Sequence, residues 1–233
     1  MKVRVRRFKG KGFVTDEYDL SVEGELTVLE LLSKIKEEID PSLSFRAMCR
    51  ASICGTCAVK VNGEHRLACN TRVKDEEVLI EPVDGNEPIK DLVVSHEELY
   101  SKLSSARIGI VPRENNLSLT PSELTKTSRS WDCILCGICN SVCPPLLEGK
   151  DFGGPALFTK LYKTLEDPRD ALRGERLKEI VNLNVQSCVH CSNCSLFCPK
   201  GCMPERWITV IEGKMSSAGL IEKKSEDFGF LGF

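Results

Sequence analysis

The sequence predicts an α+β chain of two domains. Residues 1–98 form a small mixed sheet crossed by one helix, and residues 99–233 form an all-helical domain that holds metal. Three observations carry this. The first eighty or so residues read as short alternating or β-branched runs around a single amphipathic helix. Apolar residues in the second half recur at helical spacing. Thirteen cysteines fall into three tight groups, 49–69, 133–143 and 188–202, separated by cysteine-free stretches of sixty-three and forty-four residues.

In "MKVRVRRFKGKGF", Val3 and Val5 alternate with Arg4 and Arg6, which predicts a strand over 2–8 and a second over 13–22. "TVLELLSKIKEEIDP" opens with a capping box, Thr27 and Glu30, and places Val28, Leu31, Leu32, Ile35 and Ile39 on one face until Asp40-Pro41 ends the helix. "AVKVNGEHRLA" is a hairpin turning at Asn62-Gly63, the favoured pair for a type I′ turn. "EVLIEPV" at 77–83 supplies a further strand. Residues 107–128 read as an irregular connection wrapping between domains. "PALFTKLYKTLEDP" puts Ala156, Leu157, Leu161 and Leu165 on one helical face and stops at Asp167-Pro168. "PERWITVIEGK" starts on Pro204, a good first helical residue, and buries Trp207, Val210 and Ile211. The tail "SEDFGFLGF" has three phenylalanines among glycines; disorder or packing on its own domain is the default, and docking onto a partner subunit is the alternative.

Composition excludes several function classes. Thirty-two basic and thirty-four acidic residues leave a net charge of −2, so no global basic field recruits nucleic acid. No apolar run approaches the roughly 18–20 residues that span a bilayer, and no apolar export segment follows the twin arginine Arg6-Arg7. The expected location is cytoplasmic, with peripheral attachment to the membrane only through partner subunits. A disulfide framework suits small secreted domains and has no need for grouped cysteines; metal sites do.

"CRASICGTC" gives Cys49-x4-Cys54-x2-Cys57, with Cys69 twelve positions later: the spacing of plant-type [2Fe–2S] centres. The Asn62-Gly63 hairpin pairs Val61 with Glu64 and brings Cys57 opposite Ala68, so Cys69 returns beside Cys57. Gly55 lets the loop backbone approach the sulfides closely. A structural zinc site is the alternative, but zinc knuckles use paired cysteines two to four residues apart, which fits a three-cysteine loop poorly.

"CILCGICNSVCP" and "CVHCSNCSLFCP" are each a complete C-x2-C-x2-C-x3-C-P run. Where two such runs occur, the fourth cysteine of each ligates the other's cluster. One [4Fe–4S] cluster is therefore expected on Cys133, Cys136, Cys139 and Cys198, and a second on Cys143, Cys188, Cys191 and Cys194. Zinc is again the alternative. Twelve thiols are thereby used. Cys202 is left over and reads as a small buried apolar residue, ahead of a ligand or a reactive thiol.

A sheet domain with a [2Fe–2S] loop followed by a two-run helical domain resembles the iron–sulfur subunit of succinate dehydrogenases and fumarate reductases, the first domain resembling the β-grasp of plant-type ferredoxins. "DLVV" at 91–94, "GGPALFTKLY" at 153–162, "DPRD" at 167–170 with Arg176-Leu177, and "CPKG" at 198–201 with Pro204 resemble segments of that family in the same order. The resemblance implies that a partner flavoprotein, with bound FAD, interconverts succinate and fumarate. This chain would take electrons singly from the flavin through the [2Fe–2S] centre, then through the two further clusters to a quinone or a thiol/disulfide-linked acceptor. No residue of this chain would be catalytic. The alternatives are the same module in a heterodisulfide-reductase-like or other flavin-linked oxidoreductase, and a free-standing multi-cluster ferredoxin.

Two departures from the family pattern matter. Most members hold an apolar residue where this chain has Cys191, and their last centre is [3Fe–4S]. A thiolate at that corner is expected to retain the fourth iron, the alternative being that Cys191 points away and the centre stays trinuclear. Membrane-bound members also place a histidine directly after the first cysteine of the third run and a tryptophan soon after the second run's proline. Here Val189 follows Cys188, His190 is displaced by one, "PPLLEGK" contains no tryptophan, and Trp131 lies on the other side of the run. The usual quinone pocket is thus in doubt. The extra cysteine resembles archaeal-type members, some of which pair with a cysteine-rich, disulfide-reductase-like subunit in place of an ordinary membrane anchor.

Overall fold

The computed structural model describes residues 1–22, 24–74, 77–113 and 118–222. The tail "SEDFGFLGF" lies outside them. The strands are β1 (Lys2–Phe8), β2 (Phe13–Asp19), β3 (Leu26–Thr27), β4 (Ala58–Val61), β5 (Glu64–Leu67), β6 (Arg72–Val73), β7 (Glu77–Glu81), β8 (Pro88–Lys90) and β9 (Val93–Val94). Five of them form one sheet in the order β2-β1-β7-β4-β5, with β1 and β7 parallel and the other pairs antiparallel. This is the expected mixed sheet.

Helix α1 (Val28–Glu38) crosses it, opened by the predicted capping box: Thr27 accepts from the Glu30 amide while the Glu30 carboxylate accepts from Thr27 N–H. Caps of this kind are worth about 1 kcal/mol. Val28, Leu31, Leu32 and Ile35 are fully buried against Val3, Val5, Val78 and Ile80, each contributing about 1.5–3 kcal/mol. Ile39, expected on the same face, is instead 48% exposed. The helix has already ended at Glu38, and the turn toward Pro41 swings Ile39 outward. At the hairpin, Asn62 and Gly63 both adopt positive φ, 47° and 86°, as a type I′ turn requires. Val61 pairs with Glu64, and the Ala68 amide donates to the Cys57 carbonyl at 2.9 Å.

Among the described residues beyond β9, the α-helices are α2 (Glu97–Ser105), α3 (Pro121–Trp131), α4 (Ile138–Ser141), α5 (Pro144–Leu147), α6 (Pro155–Glu166), α7 (Arg176–Glu179), α8 (Asn193–Leu196) and α9 (Pro204–Ser217). Helix α3 corrects the expectation of an irregular connection through residue 128. Its signal was present in the sequence: Thr120 and Glu123 form a second capping box around Pro121 at the first helical position. Helix α6 is buried nearly all round, from Pro155 to Leu165, and packs on α9 through stacked Tyr162 and Trp207 rings 4.2 Å apart. On α9, Trp207 and Ile211 are buried as expected, but Ile208 is buried where Val210 was expected. Val210 is half-buried.

Two buried charge clusters hold the irregular chain in place. Arg7 bonds Asp91, Asp16, Tyr18, Asp40 and Ser42. Arg176 pairs with Asp170 and also donates to the carbonyls of Arg107 and Gly109, while Asp170 accepts from the Val111 amide. Among the described residues, no helix is long and apolar enough to cross a membrane.

Candidate metal centre

The first cysteine group is built by backbone that turns back on itself. Arg50, Ser52 and Gly55 have positive φ, and the loop amides thereby converge on sulfur. Ala51, Ile53 and Cys54 N–H all donate to Cys49 Sγ at 3.2–3.4 Å, and Ser52 N–H donates to Cys69 Sγ at 3.3 Å. The hydroxyl of Thr56 bonds Cys54 Sγ and is the main cause holding that thiol down at about 6. Cys57, in contrast, is buried, and burial pushes its thiol up to about 11. Cys57 and Cys69 lie side by side, so all four predicted residues meet in one loop and hairpin.

The second and third groups are conformational copies. Leu135 and Gly137, flanking Cys136, have φ of 54° and 78°; His190 and Ser192, flanking Cys191, have φ of 51° and 61°. A four-residue helix follows in each, α4 and α8, closed by matching bonds: Asn140 N–H to Gly137 O, and Ser195 N–H to Ser192 O, both 2.9 Å. Cys191 thus occupies the backbone position of Cys136.

The groups also interleave. Cys133, Cys136, Cys139 and Cys198 line one small cavity, together with Cys202. Cys143 neighbours Cys188 and Cys191, and Cys194 neighbours Cys188, Cys143 and Cys191. Burial raises the thiols of Cys136 and Cys194 to about 12 and that of Cys143 to about 11, and Cys139 well above the ordinary value. Such thiols become thiolates only where a bound cation repays the burial.

The donors fit iron–sulfur clusters. They are thiols in fours, on tight turns, with amide N–H groups directed at sulfur. Among the described residues, no group of three or more His, Cys, Asp or Glu side chains closes around a point where a single ion would sit.

Further contacts surround the three groups. Cys202 is buried at 1% exposure, as expected of an apolar residue, but its thiol also lies beside those of Cys133 and Cys198. That contact is the main cause lowering Cys133 to about 7 and Cys198 to about 6. Lys160, buried on α6, donates to the Cys133 carbonyl. His190 bridges Glu205 at 3.1 Å and Glu212 at 2.9 Å, tying the third run to α9. Gly55 of the first loop packs on Cys136, and Ile138 is fully buried in the sheet domain's core.

Residues 2–101 match the model of a 2Fe-2S iron–sulfur cluster binding domain, and residues 129–202 match that of a 4Fe-4S dicluster domain. An uncharacterised iron–sulfur protein of Methanocaldococcus jannaschii is 36% identical over 206 residues, covering 86% of this chain but 40% of its own length. The chain therefore spans well under half of that relative. The mitochondrial succinate dehydrogenase [ubiquinone] iron–sulfur subunit of Dictyostelium discoideum is 34% identical, with 79% of this chain and 70% of that one aligned. The 8-methylmenaquinol:fumarate reductase iron–sulfur subunit of Wolinella succinogenes is 33% identical, with 86% and 68% aligned. A solved chain of the Mycobacterium smegmatis Sdh1 complex shares the fold, with a TM-score of 0.86 at 21% identity over 95% of this chain and 97% of that one. The paired cluster domains and the relatives aligned over more than two thirds of their length together place this chain in the family of succinate dehydrogenase and fumarate reductase iron–sulfur subunits.

Proposed function

We propose that the chain is the electron-transfer subunit of a succinate dehydrogenase or fumarate reductase complex. Cys49, Cys54, Cys57 and Cys69 hold a [2Fe–2S] cluster in a domain ending near residue 98. Cys133, Cys136, Cys139 and Cys198 hold one [4Fe–4S] cluster, and Cys143, Cys188, Cys191 and Cys194 hold another. When bound, the clusters take up and release electrons one at a time, which converts two-electron flavin chemistry into single-electron transfer.

The observation that carries this reading is the interleaving: Cys198 joins the second run's cavity while Cys143 joins the third run's thiols. With Gly55 pressed on Cys136, the three groups form one continuous line. The chain's own residues do three things along it. Loop amides 51–54 donate onto Cys49 and Cys69 sulfur and stabilise negative charge there. Lys160 brings a cation to the Cys133 side of the middle group. Burial of Cys139, Cys143 and Cys194 keeps water from the middle and last groups.

The electron donor in this reading is an FAD-containing flavoprotein. The acceptor is a membrane-anchor subunit with quinone or a cysteine-rich, thiol/disulfide-linked subunit. Support for the second acceptor comes from Val189, exposed where quinone-linked members carry histidine. Anaerobic isolation of the native complex tests both points. The expected result is a co-purifying flavoprotein whose succinate reduces, or whose fumarate reoxidises, the clusters of this chain. Isolation without any flavoprotein, or clusters unmoved by either dicarboxylate, overturns the reading. The third subunit's cofactor identifies the acceptor.

A further inference from the structure

We propose that Cys202 is a hydrogen-bond donor to the ligand sulfurs of Cys133 and Cys198, and that this donation raises the reduction potential of the middle four-iron centre. The inference rests on the ligand assignment proposed above.

Cys202 is the thirteenth cysteine, and no cluster needs it. Its surroundings nevertheless hold it on the middle group. It lies four residues beyond Cys198, and the turn between them runs through Gly201 at φ 61° into Met203 at φ 54°. This turn aims the Cys202 amide at Cys198 Sγ, 3.3 Å away. The Trp207 indole N–H donates to the Cys202 carbonyl from the first turns of α9. The backbone is thus anchored on both sides, and the side chain projects into the cavity that Cys133, Cys136, Cys139 and Cys198 line. At 1% exposure, it has no water to turn to.

The chemistry follows from which atoms have protons to give. Ligand thiolates have none and can only accept, whereas a neutral thiol is a weak donor. Cys202 therefore gives its S–H toward Cys198 or Cys133, and its amide reinforces the bond to Cys198. Each electron added to a cluster places more negative charge on the ligand sulfurs, so the same bond is stronger in the reduced state than in the oxidised one. Differential stabilisation of the reduced state is a rise in potential. The proton stays on Cys202 in both states, and the electron enters and leaves without it. In this role Cys202 is a positioning residue that acts through the ligands.

Redox titration followed by EPR, on anaerobically isolated protein, tests the proposal with three variants. Cys202→Ala removes the donor, Cys202→Val removes it while restoring volume, and Cys202→Ser restores an O–H donor. The centre is identified as the one whose signal is lost in Cys133→Ala and in Cys198→Ala. The expected result is a lower midpoint for that centre in the Ala and Val variants, a midpoint near wild type in the Ser variant, and an unmoved [2Fe–2S] midpoint in all three. Ala and Val midpoints equal to wild type overturn the proposal, as does a Ser variant that shifts like Ala. So does loss of the centre in both apolar variants, because a residue that only tunes the potential is dispensable for assembly. If Cys133→Ala and Cys198→Ala both keep the four-iron signal, the ligand assignment beneath the proposal has failed instead.

Discussion

Gly55 lies so close to Cys136 that a Cβ built on it would stand 2.9 Å from Cys136 Cβ and 3.0 Å from the Ile134 carbonyl oxygen. The loop of the first cysteine group is thereby seated directly on the turn of the second. The seat is reinforced from the other side, where Ile138, one residue before Cys139, is fully buried among Val59, Leu67 and the rest of the sheet domain's core. If the proposed clusters are bound, this contact sets the separation of the first two centres.

Gly55→Ala should disturb the contact twice over. The position has φ of 73°, which costs a residue with a Cβ about 1–2 kcal/mol. The added methyl group also meets backbone, which cannot rotate away. The expected outcome is a lowered apparent melting temperature together with weaker magnetic interaction between the first two centres in EPR. The four ligands of each should remain in place. Unchanged coupling would show that the two loops do not set the distance.

The third run repeats the backbone of the second, with Cys191 where Cys136 stands. Wild-type protein, kept from air and oxidised gently, should accordingly show no signal from a trinuclear centre, because oxidised [4Fe–4S]²⁺ is EPR-silent. Cys191→Ser should create that signal by releasing one iron. A strong trinuclear signal from intact wild type would mean that Cys191, exposed at the surface, does not hold the fourth iron.

How much of this was legible in the sequence depends on the range of the interaction. The Thr27 capping box, the Asn62-Gly63 turn and the cysteine spacings are local rules, acting over four to twelve residues, and the structure has the cap, the turn and the α+β class that they predict. Helix α3 was legible by the same rule, through Thr120 and Glu123, but the polar run that follows, "TKTSRS", lacks the apolar stripe that normally marks a helix. The partners of Arg7 were not legible: alternation puts Arg7 on the buried face with Val3 and Val5, but Asp91 is eighty-four positions away, and nothing local pairs the two. Cys202 illustrates the same limit. Its burial follows from residue type, but its contact with Cys133 spans sixty-nine positions and exists only because the two runs pack together.

The Asp170–Arg176 pair should be costly to break. Both side chains are at most 1% exposed, and Arg176 also satisfies the carbonyls of Arg107 and Gly109. Arg176→Met leaves a buried carboxylate without its partner, which costs about 3–5 kcal/mol. Denaturant unfolding should show this as a lower midpoint with a similar slope. A change under about 1 kcal/mol would place the pair with exposed ion pairs.

Asp40 gives the acid side of stability a defined sign. Hydrogen bonds from Ser42, then Tyr18 and Arg7, hold its carboxyl well below the ordinary carboxylate range, against an opposing effect of burial. A group lowered on folding contributes fully above its unfolded pKa, about 4, and the contribution is lost as pH falls through the folded value. The urea midpoint difference between wild type and Asp40→Asn should therefore be constant from neutral pH down to about 5 and shrink below about 4. A difference that grows on acidification would contradict the assignment.

In the proposed reading, twelve of the thirteen cysteines hold three iron–sulfur clusters in fours. Metal content of anaerobically isolated protein tests it most directly. About ten irons per chain and no stoichiometric zinc are expected; zinc in place of iron, or about four irons or fewer, would overturn the assignment.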